Sequence, residues 1–137
     1  MSLEENKALA RRYHHDIYLA GKLDVADEIC TPDFAIHQPP PVPGPGPQGV
    51  KEDAAWFRDI FTINALTDDD IVAEGDKVMI RWTLRGVHKG KYGDVEPTGK
   101  EVNIGGFDLF RIENGKLAEL WTLLDELSLL RQIGAVA

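Results

Sequence analysis

The chain has 137 residues, 43% of them hydrophobic, and a formal net charge of −8. That is enough for one domain with a substantial core and too little for two, and the acidic balance disfavours nucleic acid and anionic membranes as partners. The lone Cys30 allows no internal disulfide, and no apolar run has the length of a membrane span or the shape of a leader, so one soluble, cytoplasmic domain over residues 1–137 is expected.

Leu9, Tyr13 and Ile17 recur at i, i+4, i+8, with Ala10, His14 and Tyr18 beside them and Gly21 closing the run. This predicts an amphipathic helix from about residue 4 to 20. His14 and His15, neighbours on such a helix, point about 100° apart and do not converge on one ion, so no metal is expected. Asp24 can cap a second, shorter helix that buries Ala26, Ile29 and Cys30 and stops at Thr31-Pro32. Phe34 to His37 reads as a short extended stretch, and the proline-rich residues 38–49 as a loop at a rim or lid. Gly44 to Gly49 spells G-x-G-x-x-G, but no strand precedes it and two of its residues are prolines without N–H groups, so it is no dinucleotide site. Val50, Ala54, Phe57 and Phe61 then follow helical spacing, predicting a third helix over about 49–63.

Strands follow: Leu66 to Glu74, a Gly75-Asp76 turn, Lys77 to Lys89, a loop, Glu101 to Ile112, and Lys116 to Leu124. Asn114-Gly115 tolerates positive φ and makes the last two a tight hairpin. Asp68-Asp69-Asp70 reads as a solvated acidic bulge. Helices first and hairpin-linked strands after indicate an α+β fold with antiparallel pairing. The last two strands are apolar on both faces, Leu120, Thr122 and Leu124 opposing Trp121 and Leu123. A curved sheet wrapped by helices would enclose an apolar pocket on one side and pack on a second copy with the other. A homodimer is therefore expected, with Leu120 and Leu124 candidates for its face.

Leu117, Glu119, Trp121, Leu123 and Asp125 share parity, which sets the Asp125 carboxylate beside an indole and two leucines. An acid so desolvated resists ionisation, which suits proton transfer. Asp125-Glu126 before LSLLRQIG is equally a helix N-cap, and the sequence leaves both readings open. Asp108 shares parity with Phe110, as a second pocket carboxylate or a charge on the dimer side.

The runs AEGDKVMIRWTLRGVHKG (73–90) and EPTGKEVNIGGFDLFRIENGKLAELW (96–121), then Asp125 and LLRQIG, resemble the SnoaL-like polyketide cyclases, as do Phe34, His37 and Gly49-Val50-Lys51 upstream. Leu120 stands where that family often has a histidine. Its superfamily, which includes nuclear transport factor 2 and ketosteroid isomerase, implies a cone-shaped α+β barrel with N-terminal helices packed on a curved antiparallel sheet around an apolar pocket. The resemblance also implies cofactor-independent aldol-type ring closure of a small hydrophobic ketone or ester. Such chemistry needs a base, a donor at the developing enolate oxygen and a dry pocket. Asp125 is the candidate base, His37, His88 or Tyr13 the candidate donor, and Tyr13, Trp82, Phe107, Phe110 and Trp121 the candidate substrate contacts. No cofactor is expected. The same apparatus without a cyclisable substrate gives isomerase or hydratase chemistry, and a chain lacking the base would be a noncatalytic binding module.

Overall fold

In the computed structural model, which describes residues 2–137, the first helix opens on a reciprocal cap. The Ser2 hydroxyl accepts from the Glu5 N–H and the Glu5 carboxylate accepts from the Ser2 N–H, each at 3.1 Å, which starts α1 (Leu3–Arg12). The expected single helix then changes its hydrogen bonding. Tyr13–Leu19 is a π-helical segment, continued by the Ala20 N–H donating to the His15 carbonyl at 2.9 Å. Its wider i→i+5 turn brings Tyr13, His14, Ile17 and Tyr18 together on the sheet side, whereas an α-helix would have left His14 and Tyr18 at the margin.

The short α2 (Val25–Ile29) leads into β1 (Cys30–His37), longer than the sequence suggested. Pro32 is tolerated there because β1 is an edge strand. α3 (Gly46–Ile60) starts and ends about three residues early relative to expectation. Pro47 in its first turn is preorganised for a helix, and Phe61 is already extended at its end.

β2 (Phe61–Glu74), β3 (Lys77–His88), β4 (Glu101–Glu113) and β5 (Lys116–Leu124) form the sheet with β1 in the order β1-β5-β4-β3-β2. Asn114 and Gly115 both take positive φ, 51° and 76°, in the β4–β5 turn, as the hairpin required. One expectation needs correction: β1 pairs parallel with β5, so the sheet is mixed and not wholly antiparallel. The helices pack on a curved, unclosed sheet with β1 and β2 as its edges, the α+β architecture expected. Strict alternation on β3 and β4 buries Val78, Ile80, Trp82, Leu84, Val102, Ile104, Asp108 and Phe110 against the helices and turns Arg81, Arg85 and Phe107 outward. α4 (Glu126–Gln132) closes the chain against β4. Among the described residues no helix is long and apolar enough to cross a membrane.

Candidate functional site

His14, from the π-helical segment, inserts its ring between two strands. Its Nε2 lies 2.6 Å from Asp108 Oδ2 and its Nδ1 lies 2.7 Å from Asp68 Oδ1. The register explains the span: Asp68 sits opposite Trp82 and Asp108 opposite Ile80, so the two carboxylates flank β3 and one imidazole bridges them. Asp68 reaches this position through a bulge, since the pairing slips by one residue between Asp68 and Asp70. The expected bulge exists, but its first carboxylate is not solvated. All three side chains are 4–5% exposed. His15 Nε2 also lies 3.3 Å from Asp68 Oδ2, so both adjacent histidines approach the Asp68 carboxylate.

Burial pulls the His14 imidazole towards its neutral form, but the hydrogen bonds to Asp108 and Asp68 outweigh it and hold the ring at about 9. At neutral pH the ring is therefore a cation that donates to both carboxylates. Asp108 Oδ1 remains buried with no hydrogen-bond partner among the described residues, and so does Trp82 Nε1. The Trp82 indole lies edge-on to the His14 ring, centroids 6.2 Å apart, in a space that exists because Gly106 faces it. A Cβ on Gly106 would sit 2.2 Å from Trp82 Cζ2.

These groups border a cleft of about 130 Å³ between the helices and the inner sheet face. Ile36, Leu66, Leu84, Leu120 and Leu124 supply much of its wall, Trp56, Tyr92 and Pro39–Pro41 also border it, and Asp108, His14 and Trp82 lie along one part. Tyr13, Tyr18, Gln38 and Asp53 add a second polar stretch. Tyr18 donates to Asp53 Oδ2 at 2.6 Å, and the Tyr13 and Tyr18 hydroxyls lie 3.2 Å apart.

The residues singled out from the sequence fall into three groups. Tyr13 and Trp82 line the cleft, and Phe110 packs beneath it, edge-on to Tyr13 at 5.2 Å. Asp125, His37, Phe107 and Trp121 lie elsewhere. The parity argument grouped Asp125 with Trp121 and Leu123 correctly but assigned the group to the wrong side: all three are exposed, and Leu120, Thr122 and Leu124 border the cleft instead. Asp125 caps α4, its Oδ1 accepting from the Ser128 N–H at 3.1 Å. His37 stacks on Trp121 at 5.2 Å and contacts Glu119 on the outer face, where Phe107 is 54% exposed. His88 is fully buried but outside the cleft; its Nδ1 accepts from the Thr98 N–H at 3.2 Å and pins the loop before β4. Sequence reasoning missed His14, Asp68, Asp53 and Tyr18. The available signal was an acid, Asp108, on the otherwise apolar inner parity of β4.

Residues 8–133 match the family model of the SnoaL-like polyketide cyclases. Among solved structures, TsrD from Streptomyces laurentii is 28% identical over 99% of both chains, with a TM-score of 0.87. A Bacillus cereus protein proposed to be a polyketide cyclase is 29% identical over 97% of this chain and 83% of its own, with a TM-score of 0.81. IdmH from Streptomyces antibioticus, also proposed to be a polyketide cyclase, is 27% identical over 88% and 93%, with a TM-score of 0.73. No curated protein matches the sequence.

Proposed function

Because the chain belongs to the SnoaL-like polyketide cyclase family, we propose that it closes a ring in a small polyketide-like ketone or ester by cofactor-independent acid–base chemistry, with Asp108 as the base. The observation that carries this reading is the asymmetry of one buried carboxylate on the cleft wall: Asp108 Oδ2 is held by His14 at 2.6 Å while its Oδ1 has no partner among the described residues. Asp108 takes a proton from the carbon next to a carbonyl, and the electron pair moves to that carbonyl oxygen. The unpartnered Trp82 N–H is the donor for the resulting enolate oxygen. The enolate carbon then attacks a second carbonyl of the same molecule, and the new alkoxide takes up a proton. His14 fixes the carboxylate in place and keeps a positive charge beside it throughout.

The test is deuterium exchange at the carbons next to the carbonyls of heptanedione, an acyclic diketone with three carbons between its two carbonyl groups, followed by NMR in heavy water. Wild type should exchange above the uncatalysed rate, and Asp108→Asn should lose roughly 10² to 10⁴ of that acceleration. An Asn variant that exchanges like wild type would leave Asp108 with no chemical role.

The exposed outer face supports a homodimer, through residues other than those first expected. Leu123 is 64% exposed beside Phe107 and Trp121 on that face, whereas Leu120 belongs to the cleft. Leu123→Lys should give a monomer by sedimentation at micromolar concentration, since an unpaired ammonium in an apolar interface costs several kcal/mol, on the order of 3 or more. A wild-type chain that sediments as a monomer would remove the dimer.

A further inference from the structure

Asp53, Tyr18 and Tyr13 border the same cleft as Asp108, and the base just described uses none of them. Their polar atoms form a chain, Asp53 Oδ2 to Tyr18 Oη at 2.6 Å and Tyr18 Oη to Tyr13 Oη at 3.2 Å. The backbone is shaped to make it. In an α-helix, residues five apart are rotated by about 140° from one another, but the i→i+5 repeat of the π-helical segment sets Tyr13 beside Tyr18, ring centroids 5.2 Å apart and planes tilted by 40°. An ordinary helix would separate the two hydroxyls.

The two carboxylates of the cleft also sit in opposite settings. Asp108 has a cation against it, whereas Asp53 has no ion-pair partner among the described residues. Burial raises the Asp53 carboxyl above its ordinary value, against the hydrogen bonds from Tyr18 and Gln38, and the Asp108 charge adds to the rise. Both tyrosines stay protonated, held well above their ordinary value first by burial and then by neighbouring charges, with Asp53 among them.

We propose that Tyr13 and Tyr18, held in place by Asp53, are the acid side of the ring closure and bind the second carbonyl. The inference rests on Asp108 being the base. As the carbon–carbon bond forms, the electron pair of the attacked carbonyl moves to its oxygen. A tyrosine hydroxyl gives that oxygen its proton, while Asp53 accepts from Tyr18 and holds the chain in place. Asp108 keeps the proton taken from carbon until solvent removes it, and solvent returns one to the tyrosine. The substrate is isomerised with no oxidant or reductant.

Heptanedione separates the two halves of the reaction, since exchange needs only the base and closure to the six-membered hydroxyketone needs both. For Tyr18→Phe the ratio of closure to exchange should fall roughly 10²-fold. The same fall is expected for Asp53→Ala, which decides the matter if the first variant does not fold. A ratio equal to that of wild type in a variant that still exchanges overturns the acid role and leaves the base untouched. Wild type that exchanges without ever closing the ring overturns it too. If wild type shows no exchange above background, the base reading fails and the acid role falls with it.

Discussion

Two histidines of this chain touch a carboxylate oxygen at the same 2.6 Å, His14 at Asp108 inside the fold and His37 at Glu119 on the outer sheet face. The inner ring is 4% exposed in its side chain and is held at about 9; the outer ring is 46% exposed and leans on Trp121. Glu119 is lowered from its ordinary value mainly by Arg111 and only then by His37, so the outer pair shares its charge with a solvated network. A short distance is thus common to both, and what sets the inner ring apart is a second carboxylate, Asp68, at 2.7 Å with all three groups shielded from solvent.

The largest break of that contrast is His14→Leu. It strands two buried carboxylates without a cation and should cost about 3–5 kcal/mol in urea unfolding, whereas His37→Leu should leave the midpoint nearly unchanged. Equal effects of the two substitutions would erase the distinction. The sign with pH follows from the raised His14 value: its contribution is complete below the ordinary 6.5 and is lost as pH rises through about 9. Wild type should therefore weaken across that window, by up to about 1.4 kcal/mol per pH unit from this group, and His14→Leu should not show that component. Gly106→Ala comes next. Its methyl would collide with the Trp82 indole, so about 1–3 kcal/mol of stability should go as the ring shifts, together with much of the exchange activity; unaltered activity would show that the indole position does not matter. The smallest effect belongs to Asp125→Asn. Asn caps a helix about as well as Asp, so stability should stay within a few tenths of a kcal/mol and exchange should be unchanged. A large loss of exchange there would move the chemistry back to the end of β5.

Much of the fold was legible because its signals are local. The Asn114-Gly115 turn and the parity that groups Asp108 with Phe110 on β4 are properties of neighbours in sequence, and both appear as expected. Which face of β5 looks inward was not legible, because Trp121 and Leu123 are as apolar as Leu120 and Leu124. Parity groups side chains without saying where the helices lie. That single ambiguity placed Asp125 beside the pocket and Leu120 on the outer face, where the structure has the reverse. The parallel seat of β1 on β5 was hidden for a related reason, since it joins strands far apart in the chain. His14 and Tyr18 were missed because helical spacing assumes one period, and the chain adopts another from Tyr13 onward. Asp68 was missed because a run of three acids ordinarily means solvent, whereas a bulge turns the first of them under His14.

The account depends most on a buried, cationic His14 clamped by two acids. Nitrogen-15 NMR of the histidine side chains across a pH series measures this directly. The prediction is one imidazole with protons on both ring nitrogens at neutral pH, titrating at about 9, that vanishes from the spectrum of a His14→Gln variant. A His14 ring carrying one proton at neutral pH, and gaining its second only near or below 6.5, would contradict it.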